Sequence, residues 1–359
     1  MDGHAHAPEV EHALARTPGV EASRLVLREY ASARPLRECF ARESFPLPEP
    51  GPGQLLLRTH LLSIDICAHT RMQADAGPAD RLDLGEVMPC ATVSQVVASR
   101  HRGFREGEYV LAHSGWQTHE VVDASEIRRK LYPNVAPVAT ALGIYGLYGY
   151  IAWSAVREVC QPKAGDTAVV AAAAGPIGAT VCQLLQARQA RVVAVTSGEE
   201  KCAHVRRSFD PAVVLDRDAP GFEDALRAAC PDGVDIFVEN VDGRCIDPVL
   251  PLLNRFARVP LCGALDVEWD RSTGDRLPVF LNAMLERQLQ VRPFTSRDIT
   301  RLHPQYLADP QFISELGALL RNGQLRWHEE VMEGLDTLPQ ALERLVRGEN
   351  LGKLLVRLD

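Results

Sequence analysis

The sequence predicts an α/β chain in two parts, a β-rich first segment followed by a doubly wound parallel sheet. Three observations predict it. Short apolar or β-branched runs, punctuated by glycine, fill the region before about residue 137. From Thr167 onward, strands and amphipathic helices alternate, as they do where helices cover both faces of a parallel sheet. The length of 359 residues leaves room for two hydrophobic cores.

In the first part, Leu25–Glu29 reads as a strand and Phe45–Gly53 as a Pro/Gly-rich connection. Gln54–Ile64 alternates as a half-buried strand does, and Val93–Ser99 and Tyr109–Ala112 are strand-forming runs. Ala139–Val159 is apolar at helical spacing, although it carries Gly143, Gly146 and Gly149. Strands are then expected at Thr167–Ala172, Arg191–Val195, Val213–Leu215, Val234–Glu239 and Arg258–Cys262. Helices are expected between them at Ile177–Arg188, Glu199–Ser208, Gly221–Ala229 and Cys245–Leu253. Beyond about residue 296 the alternation stops. Pro310–Asn322 and Leu338–Gly348 look helical, and Lys353–Leu358 reads as a closing strand that returns to the first part. The expected organisation is a flexible extension over 1–20, a β-rich domain over 21–138, a parallel-sheet domain over 139–296 and a C-terminal return over 297–359.

The composition, 46% hydrophobic and 24% charged, is that of a globular protein. A net charge of -8 without a Lys/Arg run argues against a nucleic-acid partner. No apolar run reaches the roughly 18 residues of a membrane span. The N-terminus lacks the basic and then apolar pattern of a secretory signal. Its His4, His6 and His12 are separated by Ala, Pro and Glu and read as a solvated tail. Nine cysteines occur with no C-x-x-C pair. They read as buried or free thiols in a reducing cytoplasm, not as a disulfide framework or a zinc knot.

The chemistry begins where the strand Thr167–Ala172 runs into Ala173-Ala174-Gly175-Pro176-Ile177-Gly178 and then a helix. A glycine turn lets backbone approach a pyrophosphate, and the helix N-terminus offers unpaired N–H groups and a positive dipole. Ala173 stands where G-x-G-x-x-G has its first glycine. The βα units that follow make the turn a nucleotide site in a Rossmann domain. Dinucleotide sites for NAD place an acid at the end of the second strand. Here that strand ends in Thr196-Ser197-Gly198. Ser197, Lys201 and Arg217 suit a 2′-phosphate instead, so the expected cofactor is NADPH.

Further motifs accompany the loop. They are E-K-C (Glu200–Cys202), V-E-N-V-D-G (Val238–Gly243), the run Val249–Gly263 and G-E-N-L-G-K (Gly348–Lys353). Leu84–Met88, Val96–His101 and Gly115–Gln117 add to them. With these the chain resembles the zinc-independent reductases of the medium-chain dehydrogenase/reductase superfamily, and within it the prostaglandin, curcumin and alkenal double-bond reductases. The resemblance runs from Leu25 to the C-terminus. It implies a GroES-like β-rich catalytic domain, an inserted Rossmann domain and a cleft between them. It also implies a homodimer that reduces the C=C bond of α,β-unsaturated carbonyl compounds with NADPH. Carried over by position, Gly175 and Gly178 meet the pyrophosphate and Lys201 the 2′-phosphate. Asn240, Cys262 and Asn350 line the nicotinamide or ribose.

The pattern breaks where substrate belongs. The family's D-P-Y-M-R reads Asp65-Ile66-Cys67-Ala68-His69 here, its three glycines after Met88 read Pro89-Cys90-Ala91-Thr92, and T-A-Y reads Ile151-Ala152-Trp153. The loop after Gly263 carries S-x-Y-N in the family, and its tyrosine is the candidate for assisting enolate protonation. Here Ala264–Asp270 holds no tyrosine. Candidate replacement acids are Glu268, Asp266, His69 and Cys67, histidine being the residue type that ordinarily serves proton transfer near neutral pH. Trp153 and Trp269 either line an apolar pocket or pack in the core. Cys67-Ala68-His69 is similar to the first zinc-ligand position of alcohol dehydrogenases, but the partner G-H-E reads Leu84-Gly85-Glu86, so no metal is expected. Three readings follow: an NADPH-dependent reductase with a specialised substrate, a redox-neutral cyclase or isomerase on the same scaffold, or a non-catalytic NADPH-binding protein.

Overall fold

A computed structural model describes residues 22–31, 35–47, 49–77, 81–240, 243–262, 277–293, 299 and 305–358. The expected extension over 1–20 lies outside them. In the first part, β1 (Ala22–Leu27) pairs antiparallel with β2 (Phe40–Phe45). The strands β3 (Gln54–Ser63), β4 (Thr92–Ser99), β5 (Tyr109–Ala112), β6 (His119–Asp123) and β7 (Arg129–Leu131) build the main sheet. The centre is β3, antiparallel to β4 and β6. A short helix, α1 (Cys67–Arg71), follows it.

Between the two sheets the chain departs from the expected long helix. A 3-10 turn over Val138–Leu142, the helix α2 (Leu147–Ser154) and a wide π-type turn over Ala155–Cys160 replace it. The cause is close backbone approach: a Cβ on Gly149 would lie 1.8 Å from the Ile144 carbonyl oxygen. The glycines there serve a folded-back chain, and the apolar spacing belongs to the core beneath it.

The second sheet follows from strictly alternating burial. Ala168 and Val170 of β8 (Thr167–Val170) face one core, and Val169 faces the other. After β8 come α3 (Pro176–Ala187), β9 (Arg191–Thr196), α4 (Glu199–Phe209), β10 (Val213–Asp216) and α5 (Phe222–Ala229). Then come β11 (Val234–Val238), α6 (Ile246–Val249), β12 (Leu253–Leu261), α7 (Leu277–Arg287) and β13 (Gln290–Pro293). The sheet order β10-β9-β8-β11-β12-β13, parallel throughout, is the Rossmann order. The helix expected over Cys245–Leu253 is cut to α6 and a 3-10 turn over Leu250–Leu252. Pro251 lacks the N–H that would continue the helix, and β12 starts at Leu253 instead of Arg258.

The last elements are α8 (Pro310–Arg321), β14 (Glu329–Glu333), α9 (Leu338–Val346) and β15 (Lys353–Arg357). Phe312 and Leu316 of α8 pack into the core of the parallel sheet. Leu338, Ala341 and Leu342 of α9 pack into the first part. There β15 lies antiparallel to β3 and parallel to β14, so the closing strand does return to the first sheet. Among the described residues no helix is long and apolar enough to cross a membrane.

Candidate active site

The topological switch point of the parallel sheet lies between β8 and β11, where an open α/β sheet forms its ligand crevice. The loop from β8 to α3 crosses it. Ala171 N–H donates to the Val238 carbonyl at 3.0 Å, and Ala173 N–H to the Val195 carbonyl at 3.0 Å. Ala172 turns the chain in the left-handed region at φ 48°. Gly175 caps α3, and Pro176 takes its first turn, where a missing N–H costs nothing. Gly178 is required by packing, since a Cβ there would lie 2.3 Å from the Ala172 carbonyl oxygen. Ala174 is buried, and Ile177 packs against the adjoining core. The α3 N-terminus is thus held at the crevice, ready for a pyrophosphate.

Three expected residues lie at this loop or beside the segments that hold it. Asn240, just past β11, donates its side-chain amide to the Ala171 carbonyl at 2.6 Å and closes the switch point. Cys262, just past β12, is buried and donates its N–H to the Glu239 carbonyl at 2.9 Å. Burial, and then the Glu239 charge, push its thiol up to about 12. Asn350 is buried and donates to the Gly352 carbonyl at 2.9 Å. Gly352 N–H in turn donates to the Ala174 carbonyl at 3.0 Å. The C-terminal motif therefore docks directly on the glycine loop.

The far end of the crevice holds two cations, Lys201 and Arg217, and the Asp216 carboxylate, whose Oδ1 accepts from the Gly198 N–H at 2.8 Å. Thr196 ends β9, and Ser197 and Gly198 follow without an acid. Arg217 N–H donates to the Thr196 carbonyl at 2.9 Å, which sets Arg217 beside that strand end. Lys201 reaches towards Gly348, where a Cβ would sit 3.8 Å from its Nζ. Burial, and then neighbouring Arg217, pull the Lys201 ammonium below its usual range. Two adjacent cations, one of them electrostatically stressed, form a site that a phosphate dianion would relieve.

Opposite the loop, a side-chain cluster joins three distant segments. Asp65, just past β3, accepts at Oδ1 from Ser63 Oγ at 2.7 Å, from Lys353 Nζ at 2.8 Å and from the Tyr148 hydroxyl. Lys353 Nζ also donates to the Ile64 carbonyl at 2.6 Å and sits 4.5 Å from the Tyr148 ring centroid. Burial pushes the Asp65 carboxyl up, but Lys353 and the hydrogen bonds outweigh it, and the net shift is downward. Cys67 and Cys90 adjoin the cluster. Burial, and then Asp65, push the Cys67 thiol up to about 11 and the Cys90 thiol well above its ordinary value. Both stay neutral thiols at pH 7. A cavity of about 180 Å³ bounded by Ile144, Ala174, Gly175, His328, Glu329 and Lys353 connects this region to the loop.

Known proteins share this fold. Residues 23–129 match the family described as the N-terminal domain of oxidoreductase, and residues 176–304 match that described as zinc-binding dehydrogenase. The NADPH-dependent curcumin reductase of Escherichia coli (strain K12) is 37% identical over 339 residues, covering 93% of this chain and 96% of the relative. The chain belongs to the zinc-independent medium-chain dehydrogenase/reductase family. Another member, prostaglandin reductase 1 of Oryctolagus cuniculus, is 31% identical and covers 93% of each chain. The crystal structure of CurA in complex with NADPH from Vibrio vulnificus superposes with a TM-score of 0.86 at 33% identity, covering 94% of this chain and 99% of that one.

Within this family framework the expected residues fall into four groups. The cofactor set, Ala174 to Gly178, Ser197, Lys201, Arg217, Asn240, Cys262 and Asn350, lies along the carboxyl edge of the parallel sheet or against its glycine loop. Glu268, Asp266 and Trp269 lie outside the described residues. Cys67 and His69 lie on α1, where His69 Nε2 is 3.2 Å from the Gln73 side-chain amide. Trp153 packs in the core against Tyr150 and Phe312 and donates its indole N–H to Glu315 at 2.8 Å, so it does not line a pocket. Sequence reasoning missed the roles of Tyr148 and Lys353. The available signals were a tyrosine between Gly146 and Gly149 and the lysine that closes G-E-N-L-G-K. Among the described residues no three His, Cys, Asp or Glu side chains converge as a metal site.

Proposed function

We propose that the chain is an NADPH-dependent reductase of the C=C bond of α,β-unsaturated carbonyl compounds. The Lys201–Arg217 pair beside the β9 end carries the cofactor part of this reading, because it offers charge to a 2′-phosphate, while the Asp216 carboxylate there is engaged by the Gly198 and Asp218 N–H groups. The relatives named as NADPH-dependent curcumin reductase, prostaglandin reductase 1 and 2-alkenal reductase (NADP(+)-dependent) support the reaction class. When bound, NADPH supplies the hydride. The protein orients the pyrophosphate at the α3 N-terminus and holds the loop through Asn240 and Gly352. It keeps Cys67, Cys90 and Cys262 as neutral thiols that resist attack on an electrophilic substrate.

The sequence Pro89-Cys90-Ala91-Thr92 supports a specialised substrate, since it puts side chains where the family carries glycines. We read the chain as two functional domains, 21–138 and 139–296, with 297–359 completing them. The nine free thiols support a cytoplasmic setting. A homodimer along the β13 edge is part of the same reading. Among the described residues β13 pairs only with β12, and nearby Leu281 and Leu285 are 51% and 79% exposed. A monomeric mass by light scattering would remove the dimer.

The experiment is turnover with NADPH and a panel of conjugated enones and enals, with product analysis. Stoichiometric NADPH oxidation with saturation of the C=C bond is expected. Product formed without cofactor oxidation would instead establish a redox-neutral isomerase or cyclase. Tight NADPH binding with no turnover of any panel member would leave a binding protein.

A further inference from the structure

We propose that Tyr148 is the proton donor that completes the reduction, with Asp65 and Lys353 as its positioning residues. The proposal rests on the reductase reading above.

Hydride delivery to the β-carbon leaves an enolate, which must take a proton at the α-carbon. The segment Ala264–Asp270 holds no tyrosine for this task. The chain has seven tyrosines, and Tyr148 is the one among them whose hydroxyl donates to a carboxylate at the junction of the two sheets. Tyr150 and Tyr306 pack on each other in the core, Tyr109 packs on His60, Tyr30 lies under Arg81 and Tyr132 is exposed. Tyr145 pairs its backbone carbonyl with Arg129.

Position supports the role. Tyr148 lies in the first turn of α2, just after Gly143 and Ile144, which line the cavity with the glycine loop. Lys353, over its ring, follows Gly352, whose N–H holds the Ala174 carbonyl at 3.0 Å. Lys353, which lines that cavity, thus links the phenol to the segment docked on the cofactor loop. The three hydrogen bonds at Asp65 converge on Oδ1 and place the phenol oxygen, whose O–H turns from Asp65 to the substrate when the enolate forms.

The chemistry balances. The nicotinamide gives up a hydride with its electron pair and becomes NADP+, and the β-carbon gains a C–H bond. The enolate electron pair then takes the Tyr148 proton and forms the α C–H bond. The O–H pair stays on the phenolate, next to the Lys353 ammonium, and water returns the proton after product leaves. Burial, and then the Asp65 charge, push the Tyr148 hydroxyl well above its ordinary value, so the donor stays loaded throughout the working pH range. Transfer remains downhill, because a C–H bond beside a saturated ketone is a far weaker acid than a phenol.

The test is Tyr148→Phe in the full chain with NADPH, using an enone that bears an α-substituent, in D2O. The wild type is expected to give one α-deuterated diastereomer. The variant is expected to bind NADPH within about twofold of wild type, to lose roughly 100-fold in kcat, and to give scrambled deuterium at the α-carbon with the β-hydride still stereospecific. A purely structural role would not scramble the α-centre alone. Wild-type kcat with a single diastereomer in Tyr148→Phe overturns the proposal. Should that variant fail to bind NADPH, Asp65→Asn carries the test. It frees the phenol and is expected to erode α-stereospecificity, and full fidelity in it overturns the proposal. A wild type that binds NADPH but reduces no conjugated carbonyl refutes the reductase reading, and the proposal falls with it.

Discussion

The two walls of the crevice are built by different means. The cofactor wall is made of backbone: Ala171, Ala173 and Gly352 donate N–H groups to carbonyls of Val238, Val195 and Ala174, and one side chain, Asn240, closes the seam. The facing wall is made of side chains: Ser63, Tyr148 and Lys353 converge on one carboxylate oxygen. Backbone contacts tolerate many side chains and demand glycine only where a Cβ would collide, as at Gly178. Side-chain contacts demand particular residues that need not be near one another in sequence. The first wall is therefore suited to a cofactor common to a family, and the second can be rebuilt for a new substrate without disturbing it.

The sharpest test of this contrast removes one ion from the second wall. Lys353→Met keeps volume but leaves Asp65 buried without its cation. Breaking a buried pair in this way costs about 3–5 kcal/mol, and chemical denaturation is expected to show a loss of that size. The double variant Lys353→Met with Asp65→Asn removes both charges and is expected to recover most of the loss. The sign with pH follows from Asp65. Its carboxyl is held below the ordinary value, so its contribution is complete above the unfolded-state pKa of about 3.9. It is lost as pH falls through the lower folded value, and Asp65→Asn should flatten that part of the acid-unfolding curve. A loss below about 1 kcal/mol in Lys353→Met would mean the pair behaves as a surface pair, and the contrast between the walls would fail.

The same contrast explains how much the sequence reveals. The strands β8, β9 and β11 were readable because nearly all their residues are buried, as over Thr167–Val170, whereas β12 was readable only from Arg258 because Arg255 and Phe256 before it are exposed. The edge strands were not. Phe40–Phe45 and Glu329–Glu333 carry charges and are only partly buried, so they lack an apolar pattern. The run Ala139–Val159 misled because its glycines answer to a backbone crossing that no periodicity records. The glycine loop was readable because strand, turn and helix are contiguous. The Asp65 cluster was not, because its partners lie 83 and 288 residues away.

A smaller effect tests the cofactor wall where it does rely on a side chain. Lys201→Ala removes one charge-assisted contact to the 2′-phosphate, worth about 1.5–3 kcal/mol. Fluorescence titration is expected to show NADPH binding weakened roughly 10- to 100-fold, with NADH changed by no more than about twofold. The pH dependence adds a second reading of the same group. Burial and Arg217 already lower the Lys201 pKa, and a bound phosphate stabilises the charged form. Affinity for NADPH is therefore expected to fall as pH rises through that lowered value, while affinity for NADH stays level. Equal weakening of both cofactors would show that Lys201 acts by holding α4 against Gly348, and the 2′-phosphate assignment would pass to Arg217 and Ser197.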